Sequence, residues 1–171
     1  TGFANMTQSM VQYFSEYKGK RINQVNILPG FVEPSDMAEI KRLAAEMGIA
    51  SIMFPDTSGV VNSPHDGKFH MYPKSGTPVS KIESAGDGIF TFALGRYASL
   101  SAAKLLDTKC KVPFEGFDLP IGITATDHFI DSLHRVCGKA VPESIMNERG
   151  QLVDVMTDMH QYLYGRKVAL V

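Results

Sequence analysis

An α/β fold built on a mostly parallel sheet is predicted for this chain by three observations. Strand-like apolar runs alternate with helix-period segments from end to end. The closing residues Lys167-Val-Ala-Leu-Val171 read as a strand buried on both faces, the kind a parallel sheet requires. A length of 171 residues suffices for a domain with a real core.

The elements follow in order. Residues 3–17 pattern as a helix with Met6, Met10, Tyr13, Phe14 and Tyr17 on one side. Gln24-Val-Asn-Ile-Leu28 is a strand closed by Pro29-Gly30. From Ser35 to Met47 the residues Met37, Ile40, Leu43, Ala44 and Met47 fall at helical spacing, with Gly48 as the C-terminal cap. Ala50 to Phe54 is a short apolar run ended by Pro55-Asp56. Residues 55–88 are rich in Gly, Pro, Ser and Asp, which predicts a long surface excursion or a piece that packs on something else.

Strand character resumes at Ile89-Phe-Thr-Phe-Ala-Leu94, and Ala98 to Leu106 is helical. Phe117-Asp-Leu-Pro-Ile-Gly-Ile123 reads as a short, interrupted strand. Thr124 or Thr126 then caps a helix running through Phe129, Ile130, Leu133 and Val136 to Gly138. Pro142 suits the first turn of a final helix whose apolar seam is Ile145, Leu152, Met156, Met159 and Leu163. Thr1 in place of an initiating methionine, and a last strand with no helix after it, predict a piece of a longer polypeptide.

Acidic and basic residues nearly balance, at a formal charge of -1 and a pI near 6.5, so the electrostatic footprint of a nucleic-acid or anionic-membrane binder is missing. No apolar run approaches the roughly 18 residues a spanning helix needs. Cys110 and Cys137 stand far apart, in no CxxC or Cys/His spacing, which predicts buried core thiols in an intracellular protein. Walker, GxGxxG and GxSxG motifs are all lacking, and no catalytic set is predicted.

One feature of the final helix asks for a partner. Asp154 and Asp158 stand four residues apart, where side chains are about 5–6 Å from one another and like charges repel. Gly150, Gln151, Val155, Thr157, Gln161 and Tyr162, three and four residues from these acids, include no base. Compensation must come from outside the helix, as a divalent cation taking carboxylate oxygens, a basic residue on another element, or water. Gly150, inside the same helix, predicts close approach by a neighbouring backbone.

Weaker candidates each have a plainer reading beside them. His160 is two residues from Asp158 and faces elsewhere on the helix, so a partly buried structural histidine is favoured over a ligand. His65-Asp66-Gly67 is a turn with His70 nearby, a faint metal hint. Asp127 and His128 follow Thr124-Ala-Thr126, a polar helix start that can hold an anion but more often caps the helix.

Four stretches, taken together and in order, carry a resemblance: Val25-Asn-Ile-Leu-Pro-Gly-Phe31, Phe69-His-Met-Tyr72, Glu148-Arg-Gly-Gln-Leu-Val-Asp-Val-Met-Thr-Asp158 and Tyr164-Gly-Arg-Lys-Val-Ala-Leu170. The chain resembles the β subunit of nitrogenase component 1 along essentially its whole length. Within that family Ile52-Met-Phe-Pro-Asp-Thr-Ser-Gly59, Leu94-Gly-Arg-Tyr-Ala-Ser99 and Cys110-Lys-Val-Pro-Phe114 look most like the iron-only form, and the absence of tryptophan agrees.

The resemblance implies Rossmann-like parallel-sheet layers, incomplete here at both ends. Residues 1–20 would end an N-terminal domain, 21–140 would form the middle domain, and 141–171 would supply the long helix and first strand of the next. It further implies a cytoplasmic electron-relay subunit. That subunit shares an iron–sulfur cluster with an α subunit, through cysteines upstream of Thr1, and receives electrons from an ATP-hydrolysing iron protein. The α subunit would hold the active-site cofactor, and alternative forms would add a small third subunit. Asp154 and Asp158 would help hold an iron or calcium ion between two β subunits. A cofactor-assembly scaffold or a dark-operative chlorophyll-type reductase subunit is the alternative of the same fold, and an α/β small-ligand binding module the alternative of another class.

Overall fold

In the computed structural model, which describes residues 2–72 and 75–169, the chain divides into two compact units, Thr1–Lys139 and Ala140–Val171. The first contains α1 (Gly2–Phe14), β1 (Val25–Leu28), α2 (Pro34–Glu46), β2 (Ser51–Met53) and α3 (Val79–Ser84), which runs into a 3-10 turn at Ala85–Asp87. β3 (Phe90–Leu94), α4 (Arg96–Cys110), β4 (Phe114–Phe117) and α5 (Ile123–Cys137) complete it. The second holds α6 (Glu143–Leu163).

The sheet is parallel throughout, in the order β2-β1-β3-β4, as the alternating pattern predicts. β1 is buried at all four positions, and four of the five residues of β3 are buried. Such central strands are covered on both faces, and their two polar residues, Asn26 and Thr91, bond one another. Phe92 and Phe117 stack at 5.9 Å between ring centroids, and Phe129 of α5 meets both edge-on at 6.0 Å. This aromatic trio joins α5 to the sheet.

Five segments depart from expectation. β4 begins three residues earlier than predicted because its register is set by β3, with Thr91 opposite Phe114 and Leu94 opposite Phe117. At Gly116, inside the strand, a Cβ would lie 2.8 Å from Leu100 Cδ1 of α4, so a larger residue there would push that leucine aside. α1 ends at Phe14 and buries Ala4, Thr7 and Val11, while Met6, Tyr13 and Phe14 stay exposed. Its partner α4 buries Ser99, Ala102 and Ala103, with the Ser99 hydroxyl donating to the Leu94 carbonyl of the sheet at 2.7 Å.

The end of the 55–88 stretch belongs to the core, since Ile82 and Ala85 are buried with Val11, Leu28 and Phe54. A helix of six residues is too short for its period to show in sequence. Lys167 to Ala169 join no strand, and Leu170 and Val171 lie outside the described residues. In the second unit the expected seam of α6 is open: Leu152, Met156, Met159 and Leu163 are exposed, and Ile145 is the buried residue.

Candidate functional site

Open α/β sheets bind ligands beyond the carboxyl ends of strands where the strand order reverses, which here lies between β1 and β3. That crevice is closed by the protein itself. Gly30, at φ +82, would place a Cβ 2.7 Å from the Leu94 carbonyl oxygen and 3.4 Å from Leu119 Cδ2. Gly95, at φ +69, would meet the same Leu119 Cδ2 at 3.2 Å. These glycines let two strand ends and a leucine pack tightly instead of cradling a phosphate.

α6 carries the acid pair. Asp154 and Asp158 are exposed, one turn apart on the same face, and no ion pair to either is found among the described residues. The neighbouring Thr157 hydroxyl donates to the Val153 carbonyl at 2.9 Å and does not turn toward them. No group of three or more His, Cys, Asp or Glu side chains suited to a metal ion occurs among the described residues. The pair can supply carboxylate oxygens to a hard cation, but a full shell of six to eight oxygens needs donors from elsewhere. Gly150 meets no atom within 4 Å of where its Cβ would sit, so the approaching backbone expected there is not within the described chain.

The other candidates take structural roles. His160 is exposed rather than partly buried, its ring edge-on to Tyr164 at 5.9 Å. His70 Nε2 lies 2.8 Å from Asp66 Oδ2, and the Lys68 amide donates to Asp66 Oδ1 at 3.0 Å. The His70 bond first, then the Lys68 amide, holds the Asp66 carboxyl below its ordinary value. His65 Nδ1 accepts from the Gly67 amide at 3.0 Å, closing the predicted turn. Neither threonine caps α5 with its side chain: the cap is Gly122, and the Thr126 hydroxyl donates to the Pro120 carbonyl at 3.0 Å.

Of the two thiols expected in the core, only Cys110 lies there. Cys110 is buried, with its Sγ 3.9 Å from the Ser15 carbonyl oxygen, and Cys137 is half-buried at the end of α5. Burial pushes both upward, away from the thiolate that an iron–sulfur cluster needs. Neither thiol belongs to a group of three or more His, Cys, Asp or Glu side chains among the described residues, so no cluster ligand set forms around them there.

Two clusters escaped the sequence reading. Arg21 donates to four carbonyls, those of Gly86, Gly88, Cys110 and Lys111, at 2.7 to 3.1 Å. Glu115 on β4 accepts from Ser132 Oγ at 2.8 Å and Arg135 Nη2 at 3.0 Å, with His128 Nε2 at 3.6 Å. The spacing of His128, Ser132 and Arg135 along α5 marks one polar stripe, a signal available in the sequence. Arg21, isolated in a connector, has none.

No helix among the described residues is long and apolar enough to cross a membrane. The family described as nitrogenase component 1 type oxidoreductase matches residues 1–171. The chain is 53% identical over 171 residues to a nitrogenase molybdenum-iron protein β chain of Clostridium pasteurianum, covering all of this chain and 37% of that relative. It is 32% identical over 170 residues to a nitrogenase iron-molybdenum cofactor biosynthesis protein of Nostoc sp., covering 99% of this chain and 38% of the relative. A solved structure titled "Nitrogenase Cp1 at pH 6.5" superposes with a TM-score of 0.95 at 52% identity, over 96% of this chain and 36% of that one. A family match along the whole chain and a shared backbone together show that the chain belongs to the nitrogenase component 1 type oxidoreductases.

Proposed function

We propose that this chain is the central part of a nitrogenase β subunit, one that relays electrons from an ATP-hydrolysing iron protein to a cofactor-bearing α subunit. Its relatives are longer, since the chain spans 37% of the Clostridium protein, and the activity belongs to the full assembly. The 53% identity to a named β chain over all 171 residues carries this reading. The cluster that would transfer electrons is held by residues outside this stretch, because no cluster ligand set forms around Cys110 and Cys137 among the described residues. This chain's part is scaffold and interface, in the cytoplasm, with residues 1–20 ending one domain, 21–140 forming the next and 141–171 leading into a third.

Asp154 and Asp158 contribute to a divalent cation site, iron or calcium, between two β subunits. Their exposure on one face, with no ion pair to either among the described residues, supports this role. The relatives' names support a molybdenum-iron parent over the iron-only type suggested by individual motifs. An assembly scaffold is the second reading, resting on the 32% identity to the Nostoc biosynthesis protein, and the 53% identity to a β chain outweighs it.

The test is to tag the parent gene, purify the native complex and assay it with iron protein and ATP. A complex with an α subunit that reduces dinitrogen and contains molybdenum is the expected result. An inactive complex that donates cofactor to another protein would replace the relay reading with the scaffold, and iron as the sole cofactor metal would restore the iron-only type.

A further inference from the structure

We draw no further inference here: the strongest candidate, the apolar groove lined by Phe31, Ile40, Leu43, Leu119, Ile121 and Phe129 beside the start of α2, carries nothing because nothing in the structure shows what covers it.

Discussion

Arg21 and Cys110 are joined across 89 residues of chain, the guanidinium Nη2 donating to the Cys110 carbonyl oxygen at 2.7 Å. The same group bonds the Lys111, Gly86 and Gly88 carbonyls and lies 4.6 Å from the centre of the Tyr17 ring. A planar fork with five N–H groups can satisfy four acceptors arranged around it, and an ammonium cannot. One side chain thus ties the connector after α1 to the turn before β3 and to the end of α4.

Arg21→Ala should therefore destabilise the folded chain by about 3 kcal/mol, since each bond to a charged donor contributes roughly 1.5–3 kcal/mol and these are partly solvated. Arg21→Lys should recover less than half of that loss. Urea unfolding checks both, read as a lower midpoint at unchanged slope. A midpoint unmoved by Arg21→Ala would show that water replaces the guanidinium at little cost.

Asn26 and Thr91 face one another across β1 and β3, both without solvent exposure. Asn26 Nδ2 donates to the Ala85 carbonyl at 2.9 Å and to Thr91 Oγ1 at 3.2 Å. Ala85 keeps a second donor, the Gly88 amide, when Asn26 is removed. Asn26→Ala should then cost about 2–3 kcal/mol, from the cavity and the two lost bonds. Thr91→Val should cost about 1 kcal/mol, and the double variant less than the sum of the two by about 0.5–1 kcal/mol. Additive losses in thermal unfolding would mean that the pair does not interact.

How much of this was legible in the sequence depended on element length. β1, α2, β3 and α5 carry enough apolar positions at one period for Val25–Leu28, Ile40, Phe92 and Leu133 to be placed correctly. β4 starts ahead of its expected span because pairing with β3 sets its start, which local pattern does not show, and the six residues of α3 hold too little pattern. The acid pair could be read because like charges one turn apart demand an explanation. Arg21 could not, because its four acceptors are backbone carbonyls, which every sequence has.

Asp56, just after β2, makes stability depend on pH. Burial alone would raise its carboxyl, but the Lys41 ammonium at 2.8 Å and the Ser58 hydroxyl and amide outweigh burial and hold it below its ordinary value of 3.8. The folded state thus favours the charged form. Its stabilisation is fully present above the unfolded value and is lost as the pH falls below 3.8 through the lower folded value. Asp56→Asn, which keeps an acceptor for Ser58, should cost about 1–2 kcal/mol at pH 7 and progressively less toward pH 2. Equal losses at both ends of that range, measured by guanidinium unfolding, would rule the charge out as the cause.

Gly150 separates what α6 needs from what its partner needs. With nothing within 4 Å of its Cβ position, Gly150→Ala should stabilise the helix by about 1 kcal/mol and raise helicity by circular dichroism. In the intact complex the same substitution should weaken assembly wherever another subunit's backbone lies against that glycine. Unchanged assembly would assign the glycine no packing role.

The acid pair makes the reverse prediction. Asp154→Asn with Asp158→Asn removes a repulsion one turn apart, so α6 should gain a few tenths of a kcal/mol and the isolated chain should unfold no more easily. In the assembled protein the same change removes both carboxylates of the proposed cation site, whose shell another β subunit would complete. Binding that requires both subunits stabilises the assembly by mass action, so losing the cation sites should lower the concentration stability of the complex. On dilution, analytical ultracentrifugation should show the variant dissociating at higher concentration than the wild type, and a chelator should bring the wild type to the same behaviour. Identical dissociation with and without the carboxylates, or with and without chelator, would leave Asp154 and Asp158 as a solvated acidic face.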